Sequence, residues 1–227
     1  MIGSGTDRPQ GWSVPMRAAL AEAHAFGFLG PGPIEAHLDH ASAFARVIAS
    51  ACEGVAPARV ADLGSGGGVP AFVLMELWPQ TSFVLVESNQ RRAAFLVGAI
   101  AELRGMPGSD SSDTALGLVD VQCIRAEEFG RLSWRATFDV VTARSFGPPA
   151  VTAECAAPLL VDGGRLVVSE PPASDGSRWS SEGLAQLGMD GGRVVVDTFS
   201  FFVADQVRRC PEEYPRRVGV PGRRRLF

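Results

Sequence analysis

Four glycines fall within five residues at Gly64-Ser65-Gly66-Gly67-Gly68, directly after the short apolar run Ala58 to Leu63 and just before Val69-Pro70. Without Cβ atoms the chain can turn sharply there and let a ligand approach the backbone, and a helix that follows offers free N–H groups at its start. A strand end leading into such a turn is where doubly wound sheets bind nucleotides. A glycine turn by itself also serves as a plain structural bend, so the surrounding pattern has to decide.

That pattern is one of alternation. After the loop come a helix from Pro70 to Trp78, a buried strand SFVLV from Ser82 to Val86, and a helix from Gln90 to Arg104. A small, polar loop is expected from Gly105 to Gly117. Strands follow at Val119–Ile124 and Phe138–Thr142, then a helix near Ala150–Leu160 and a strand at Arg165–Ser169. Strands alternating with helices over short connections predict an α/β fold with a doubly wound, mostly parallel sheet. Arg193 to Val207 is rich in Val and Phe and has no crossover helix, which predicts one or two terminal strands, at least one of them antiparallel. Ahead of this region, helices are expected at Pro15–Phe28 and Ile34–Glu53, separated by the breaker GFLGPGP. The chain then divides into a helical extension (1–57), a ligand-binding domain (58–207) and a basic C-terminal tail (208–227).

Composition narrows the function classes. Hydrophobic residues at 46% and charged residues at 20% describe a globular chain with material for a sizeable core. No run approaches the roughly 18 apolar residues of a membrane span. Met1 to Gln10 lacks the basic and apolar regions of a secretory leader. Cys52, Cys123, Cys155 and Cys210 are far apart and form no CxxC pair, so they read as reduced thiols of a cytoplasmic protein rather than disulfides or zinc ligands. His37 and His40 have helical spacing suited to a metal, but no further ligand joins them in sequence; a solvated or capping role is expected, and no metal. All 21 basic residues are arginine. Arginine binds phosphate bidentately, although GC-rich codon usage produces the same bias, so location says more. Residues 206–227 hold seven arginines against Glu212 and Glu213, a net +5 in a chain whose total is −4. A polyanionic partner such as a nucleic acid is expected at this tail.

The second strand ends in Glu87, 23 residues beyond Gly64, where a carboxylate can accept hydrogen bonds from both hydroxyls of an adenosine ribose. Gly66 to Ala71 formally fits the nicotinamide pattern GxGxxA, but that register starts two residues late and puts Pro70 in the turn. The GxGxG register of Gly64, Gly66 and Gly68 suits S-adenosylmethionine, which has no pyrophosphate to cradle.

Several segments, in order over about residues 36–220, resemble the bacterial 16S rRNA guanine-N7 methyltransferases, the RsmG or GidB family. They are Asp62 to Pro70 (DxGxGxGxP), Glu87-Ser88-Asn89-Gln90-Arg91-Arg92 with Phe95-Leu96, Arg125-Ala126-Glu127, Phe138 to Phe146, and Tyr214 to Pro221 (YPR-(K/R)-x-G-x-P). The resemblance implies a class I, Rossmann-like methyltransferase that uses S-adenosylmethionine. It carries cofactor contacts to Gly64, Val69, Ala126, Glu127 and Arg144, beside the glycines Gly66 and Gly68 and the ribose ligand Glu87. Arg144 and Arg91 are the candidates for orienting the acceptor. The chain departs from the family in lacking the Asn-Leu-Thr segment near the N-terminus, in having Ser169-Glu170-Pro171 where a lysine is usual, and in a hairpin shortened around Thr198 to Phe202. These departures keep two other readings open: a divergent paralogue acting on a small molecule or another RNA, and a non-catalytic adenosine-binding module that docks on RNA.

Overall fold

The computed structural model describes residues 11–105, 117–172, 174–196 and 199–227. Met1 to Gln10, the interior of the expected Gly105–Gly117 loop, and Thr198 of the shortened hairpin lie outside the described residues. Seven strands form one sheet: β1 (Arg59–Leu63), β2 (Ser82–Val86), β3 (Val119–Gln122), β4 (Phe138–Ala143), β5 (Leu160–Glu170), β6 (Arg193–Val196) and β7 (Ser200–Asp205). Their order is β3-β2-β1-β4-β5-β7-β6. The first five are parallel, and β7 alone is antiparallel to its neighbours β5 and β6. The expected doubly wound sheet with an antiparallel ending is therefore present, and both terminal strands form.

Period two along each strand sorts side chains onto two faces. Phe83 and Leu85 of β2, Val140 of β4 and Phe201 and Val203 of β7 join one core, with α1 (Val14–Ala25), α2 (Ile34–Ala51), α3 (Ala71–Leu77) and α4 (Gln90–Gly105). Val84, Val86, Val141, Leu166, Phe202 and Ala204 join the other, with α5 (Ala126–Phe129), α6 (Pro149–Ala156) and α7 (Ser181–Gln186). Helix α1 starts where Ser13 Oγ accepts the Met16 N–H at 3.3 Å, with Pro15 in the first turn. It buries Met16, Ala19, Leu20 and Ala23 and ends at Ala25, three residues before the expected Phe28.

Strand β5 begins five residues earlier than its apolar run indicated. The paired glycines Gly163 and Gly164 lie within the strand: Gly163 N–H donates to Gln206 O at 2.7 Å and Gly164 O accepts from Gln206 N–H at 2.8 Å. Opposite them the β4 pairing shifts register between Phe138 and Val140, as at a bulge. Helices α5 and α7 and the single turn α8 (Val220–Arg223) have too few residues for a periodic signal.

The C-terminal segment docks against the second core. Cys210 and Tyr214 are buried there, and Leu226 and Phe227 pack beside them. Arg135 donates to the carbonyls of Tyr214, Cys210 and Pro211, at 2.5, 3.2 and 3.3 Å. Arg216 grips Glu154, a fully buried carboxylate on α6, through Nε at 2.8 Å and Nη2 at 2.6 Å, and adds its backbone N–H at 2.9 Å. Arg217, Arg223, Arg224 and Arg225 are left exposed.

Candidate active site

The glycine turn crosses from the end of β1 to α3 along the C-terminal ends of the parallel strands, where crossover sheets leave a crevice. Gly64 and Ser65 donate their N–H groups to Val86 O, at 2.8 and 3.3 Å, which pins the turn to the end of β2. Gly64 has φ +71°, and a Cβ there would stand 2.9 Å from the Phe146 ring. A Cβ on Gly68, at φ +87°, would overlap the Phe72 ring. Both positions therefore need glycine for backbone shape and for space.

Between the ends of β1, β2, β3 and β4 lies a cleft of about 250 Å³. Gly64, Glu87, Ala126 and Glu127, all singled out in the sequence, line it together. Glu87 is buried at 5% exposure. Its Oε2 accepts from Gly66 N–H at 3.1 Å and its Oε1 from Asn89 N–H at 2.7 Å, so the carboxylate is aimed by the loop and each oxygen keeps a further lone pair. Glu127 differs: its Oε1 accepts Gly219 N–H from the C-terminal segment at 3.1 Å, and Oε2 lies 3.6 Å from Arg125 Nε.

The other expected residues sit around this cleft and not in its lining. Gly66 stands at its edge through the bond to Glu87. Val69 is buried in the first core. Gly68 abuts Phe72. Arg144 directly follows β4, one residue before Ser145, which does line the cleft, and turns its guanidinium to His37. Arg91 lies in a separate groove with Phe26, Phe28 and Phe95, between α1 and α4. Its neighbour Arg92 takes the place at the cleft and also stacks over Phe28 at 5.9 Å. Consecutive helical residues point about 100° apart, and the pair Arg91-Arg92 carried no signal of which faces the site. Phe146 and Cys155 were likewise not singled out, because they reach the cleft from the turn after β4 and from the buried face of α6.

Behind the glycine turn lies a polar cluster on the α2 face. Asp62 Oδ1 accepts from Thr142 Oγ1 at 2.7 Å, while Oδ2 is buried without a hydrogen-bond partner. Burial pushes this carboxyl up to about 6, against the lowering pull of the Thr142 and Ser65 hydroxyls and of Arg144. His37 and His40 are buried, at 4% and 8% exposure, so the expected solvated role is corrected: α2 turns this face into the sheet. His40 bonds Ser169 Oγ at 2.9 Å and stacks on Phe201, and burial holds it near 4. Burial raises Cys155 far above the ordinary thiol range, so it stays protonated. Among the described residues no group of three or more His, Cys, Asp or Glu side chains could hold a metal ion, and no helix is long and apolar enough to cross a membrane. Glu170, standing where the family usually has lysine, is buried and accepts from Ser174 Oγ at 2.7 Å.

Residues 45–170 match the family described as GidB, rRNA small subunit methyltransferase G. The chain belongs to the GidB family. A ribosomal RNA small subunit methyltransferase G of Staphylococcus aureus (strain JH9) is 31% identical over 184 residues, covering 75% of this chain and 70% of the relative; that of strain Newman gives the same figures. Among solved structures, an S-adenosylmethionine-dependent O-methyltransferase of Thermotoga maritima superposes with a TM-score of 0.56 at 14% identity, covering 86% of this chain and 73% of the other. A protein of Corynebacterium glutamicum gives 0.54 at 16% identity, covering 88% and 93%. At those identities the likeness concerns the fold, which is that of class I methyltransferases. As a GidB member the chain is a methyltransferase, and its methyl donor is S-adenosylmethionine. The site fits this cofactor: an acidic acceptor follows β2, a glycine turn crosses the strand ends beside it, and the cleft of about 250 Å³ lies just below the usual range of ligand volumes, roughly 300–1,000 Å³.

Proposed function

We propose that this GidB member methylates N7 of a guanine in 16S ribosomal RNA. The observation that carries the reading is the convergence of Gly64, Glu87, Ala126 and Glu127 on one cleft of a chain matched by that family over residues 45–170. Bound S-adenosylmethionine supplies a methyl group made electrophilic by its sulfonium. Glu87 accepts the ribose hydroxyls with the lone pairs its loop bonds leave open. Ala126 contributes backbone to the adenine end, while the carboxylate of Glu127 serves mainly to anchor Gly219. Guanine N7 has a lone pair and no proton to lose, so the protein's task is alignment and not acid–base chemistry. The site chemistry suits this: Cys155 is held as a thiol, and His40 is neutral and packed among aromatic rings. Arg144 orients the acceptor nucleotide. Arg91, set in its own groove, contacts the RNA away from the reacting centre.

The second part of the reading is that residues 208–227 form the main electrostatic contact with RNA. Four arginines in this segment, Arg217, Arg223, Arg224 and Arg225, are exposed, and among the described residues no acid lies within ion-pair distance of them. Residues 58–207 form the cofactor domain and 1–57 its helical extension, and the enzyme works in the cytoplasm.

Incubating the protein with labelled cofactor and small ribosomal subunits, then resolving the nucleosides by mass spectrometry, tests the acceptor. Label in 7-methylguanosine is expected; label confined to another nucleoside or to small molecules overturns it. Replacing Arg223, Arg224 and Arg225 together with Ala should weaken RNA binding and flatten its salt dependence, leaving cofactor affinity unchanged. A triple variant that binds RNA like the parent at every salt concentration removes the tail from the account.

A further inference from the structure

Period two along β4 sends Thr142, and Arg144 just past the strand, to the same face as Val140, where α2 packs. There Arg144 Nη2 donates to His37 Nδ1 at 2.8 Å, although 107 residues separate them. The other ring nitrogen, Nε2, lies 3.1 Å from Gly30 O. A carbonyl oxygen can only accept, so Nε2 carries the proton and donates to Gly30, which leaves the Nδ1 lone pair for the arginine. Both bonds are satisfied by one neutral tautomer. Burial, and then the charge of Arg144 itself, hold His37 below the ordinary histidine range and keep the ring neutral.

What this arrangement leaves undone is as informative. Among the described residues no carboxylate lies within ion-pair distance of Arg144, and Asp62 acts on it only through space. A half-buried guanidinium is ordinarily neutralised by a carboxylate that also fixes its geometry. Here orientation is separated from neutralisation. The histidine holds one N–H in place and cancels none of the charge, immediately before Ser145 and Phe146 enter the cleft. An aspartate or glutamate at position 37 could hold the arginine equally well and would remove the attraction it exerts on an oxygen acceptor.

We propose that His37 is a positioning residue that aims Arg144 at the acceptor nucleotide while leaving the full arginine charge available to it. The Gly30 carbonyl sets the ring, so the segment between α1 and α2, and not only the cofactor domain, then shapes the acceptor site. This rests on the reading of Arg144 as the acceptor-orienting group, and the test separates the two.

Four variants, His37→Phe, His37→Gln, His37→Glu and Arg144→Gln, are compared by steady-state methylation of small ribosomal subunits, cofactor calorimetry and thermal melting. His37→Phe should lower kcat about tenfold to a hundredfold, the scale of a misaligned reacting group, with the cofactor Kd within about twofold of the parent. His37→Gln, which offers an uncharged oxygen acceptor, should recover part of the loss. His37→Glu should remain slow with a raised KM for RNA, because its carboxylate cancels the charge. If Arg144→Gln turns over like the parent, or weakens the cofactor and leaves the RNA parameters alone, the reading of Arg144 is wrong. If Arg144→Gln is impaired while His37→Phe is not, the role of His37 is refuted. A His37→Phe loss that merely tracks a fallen melting temperature, with no recovery in His37→Gln, makes the ring structural and also refutes it. A His37→Glu enzyme as fast as His37→Gln overturns the argument from charge.

Discussion

Glu87 and Glu127 line the same cleft with the same side chain, yet different parts of the chain hold them. Glu87 is fixed by its own neighbourhood: Gly66 is 21 residues away and Asn89 two. The wall around it, from the end of β1 to the start of α4, is assembled within about thirty residues and braced by the bonds of Gly64 and Ser65 to Val86. Glu127 is fixed by Gly219, 92 residues later, and its wall is complete only once the C-terminal segment has docked through Arg135 and the Arg216–Glu154 pair. The first wall carries a carboxylate that lines the cleft with lone pairs left open by its loop bonds. In the second, the carboxylate is a fastener. Residue type and position in the cleft therefore do not define a ligand; the prior engagement of the side chain does.

The sharpest way to break this contrast is to cut the strap. Arg216→Ala leaves Glu154 buried and uncompensated and should cost about 3–5 kcal/mol in denaturant unfolding. Cofactor affinity per folded molecule should survive; a stability loss under about 1 kcal/mol would show that the C-terminal segment is an ornament to the second wall. Glu87→Ala should act the other way, weakening cofactor binding by about 1.5–3 kcal/mol in calorimetry. If unfolding stability falls more than binding does, Glu87 is a fastener too and the contrast dissolves.

Asp62 sharpens the comparison from behind the glycine turn, because the first wall contains a group that opposes folding. Its carboxyl rises from 3.8 to about 6 on folding, so the favourable contribution is fully present below pH 3.8 and is lost as pH rises through about 6. At pH 8 the ionised side chain is a net burden. Asp62→Asn should therefore stabilise the protein by about 1–2 kcal/mol at pH 8 and by nothing measurable at pH 3.5. A pH-independent difference would mean that packing, and not charge, sets the cost. The smallest effect is expected at Glu127→Gln, which keeps an acceptor for Gly219 and loses only the pairing with the exposed Arg125. About 0.5 kcal/mol of stability is expected to go, with cofactor affinity unchanged; a clear loss of affinity would make Glu127 a ligand residue after all.

The legible part of this molecule was local. The glycine turn, the apolar runs of β1, β2 and β4 and the carboxylate ending β2 each announced themselves within a few residues, since turn conformation and strand burial depend on immediate sequence. The motif order from Asp62 to Pro221 carried the family, and the match over residues 45–170 agrees. Hidden were the short helices, the bend that lets β5 continue through Gly163, and the choice between Arg91 and Arg92 for the cleft. The two histidines of α2 misled because helical spacing says which residues share a face and nothing about what that face meets.

By itself, then, the sequence determined a doubly wound methyltransferase sheet and the turn and carboxylate that meet at its cleft. Only the tertiary structure decided which polar groups remained free to act. Gly219 took the carboxylate of Glu127, Glu154 took Arg216, and His37 met Arg144, across 92, 62 and 107 residues. A hydrogen bond forms wherever packing leaves a buried donor beside an acceptor, and packing brings together groups whose separation along the chain carries no local pattern.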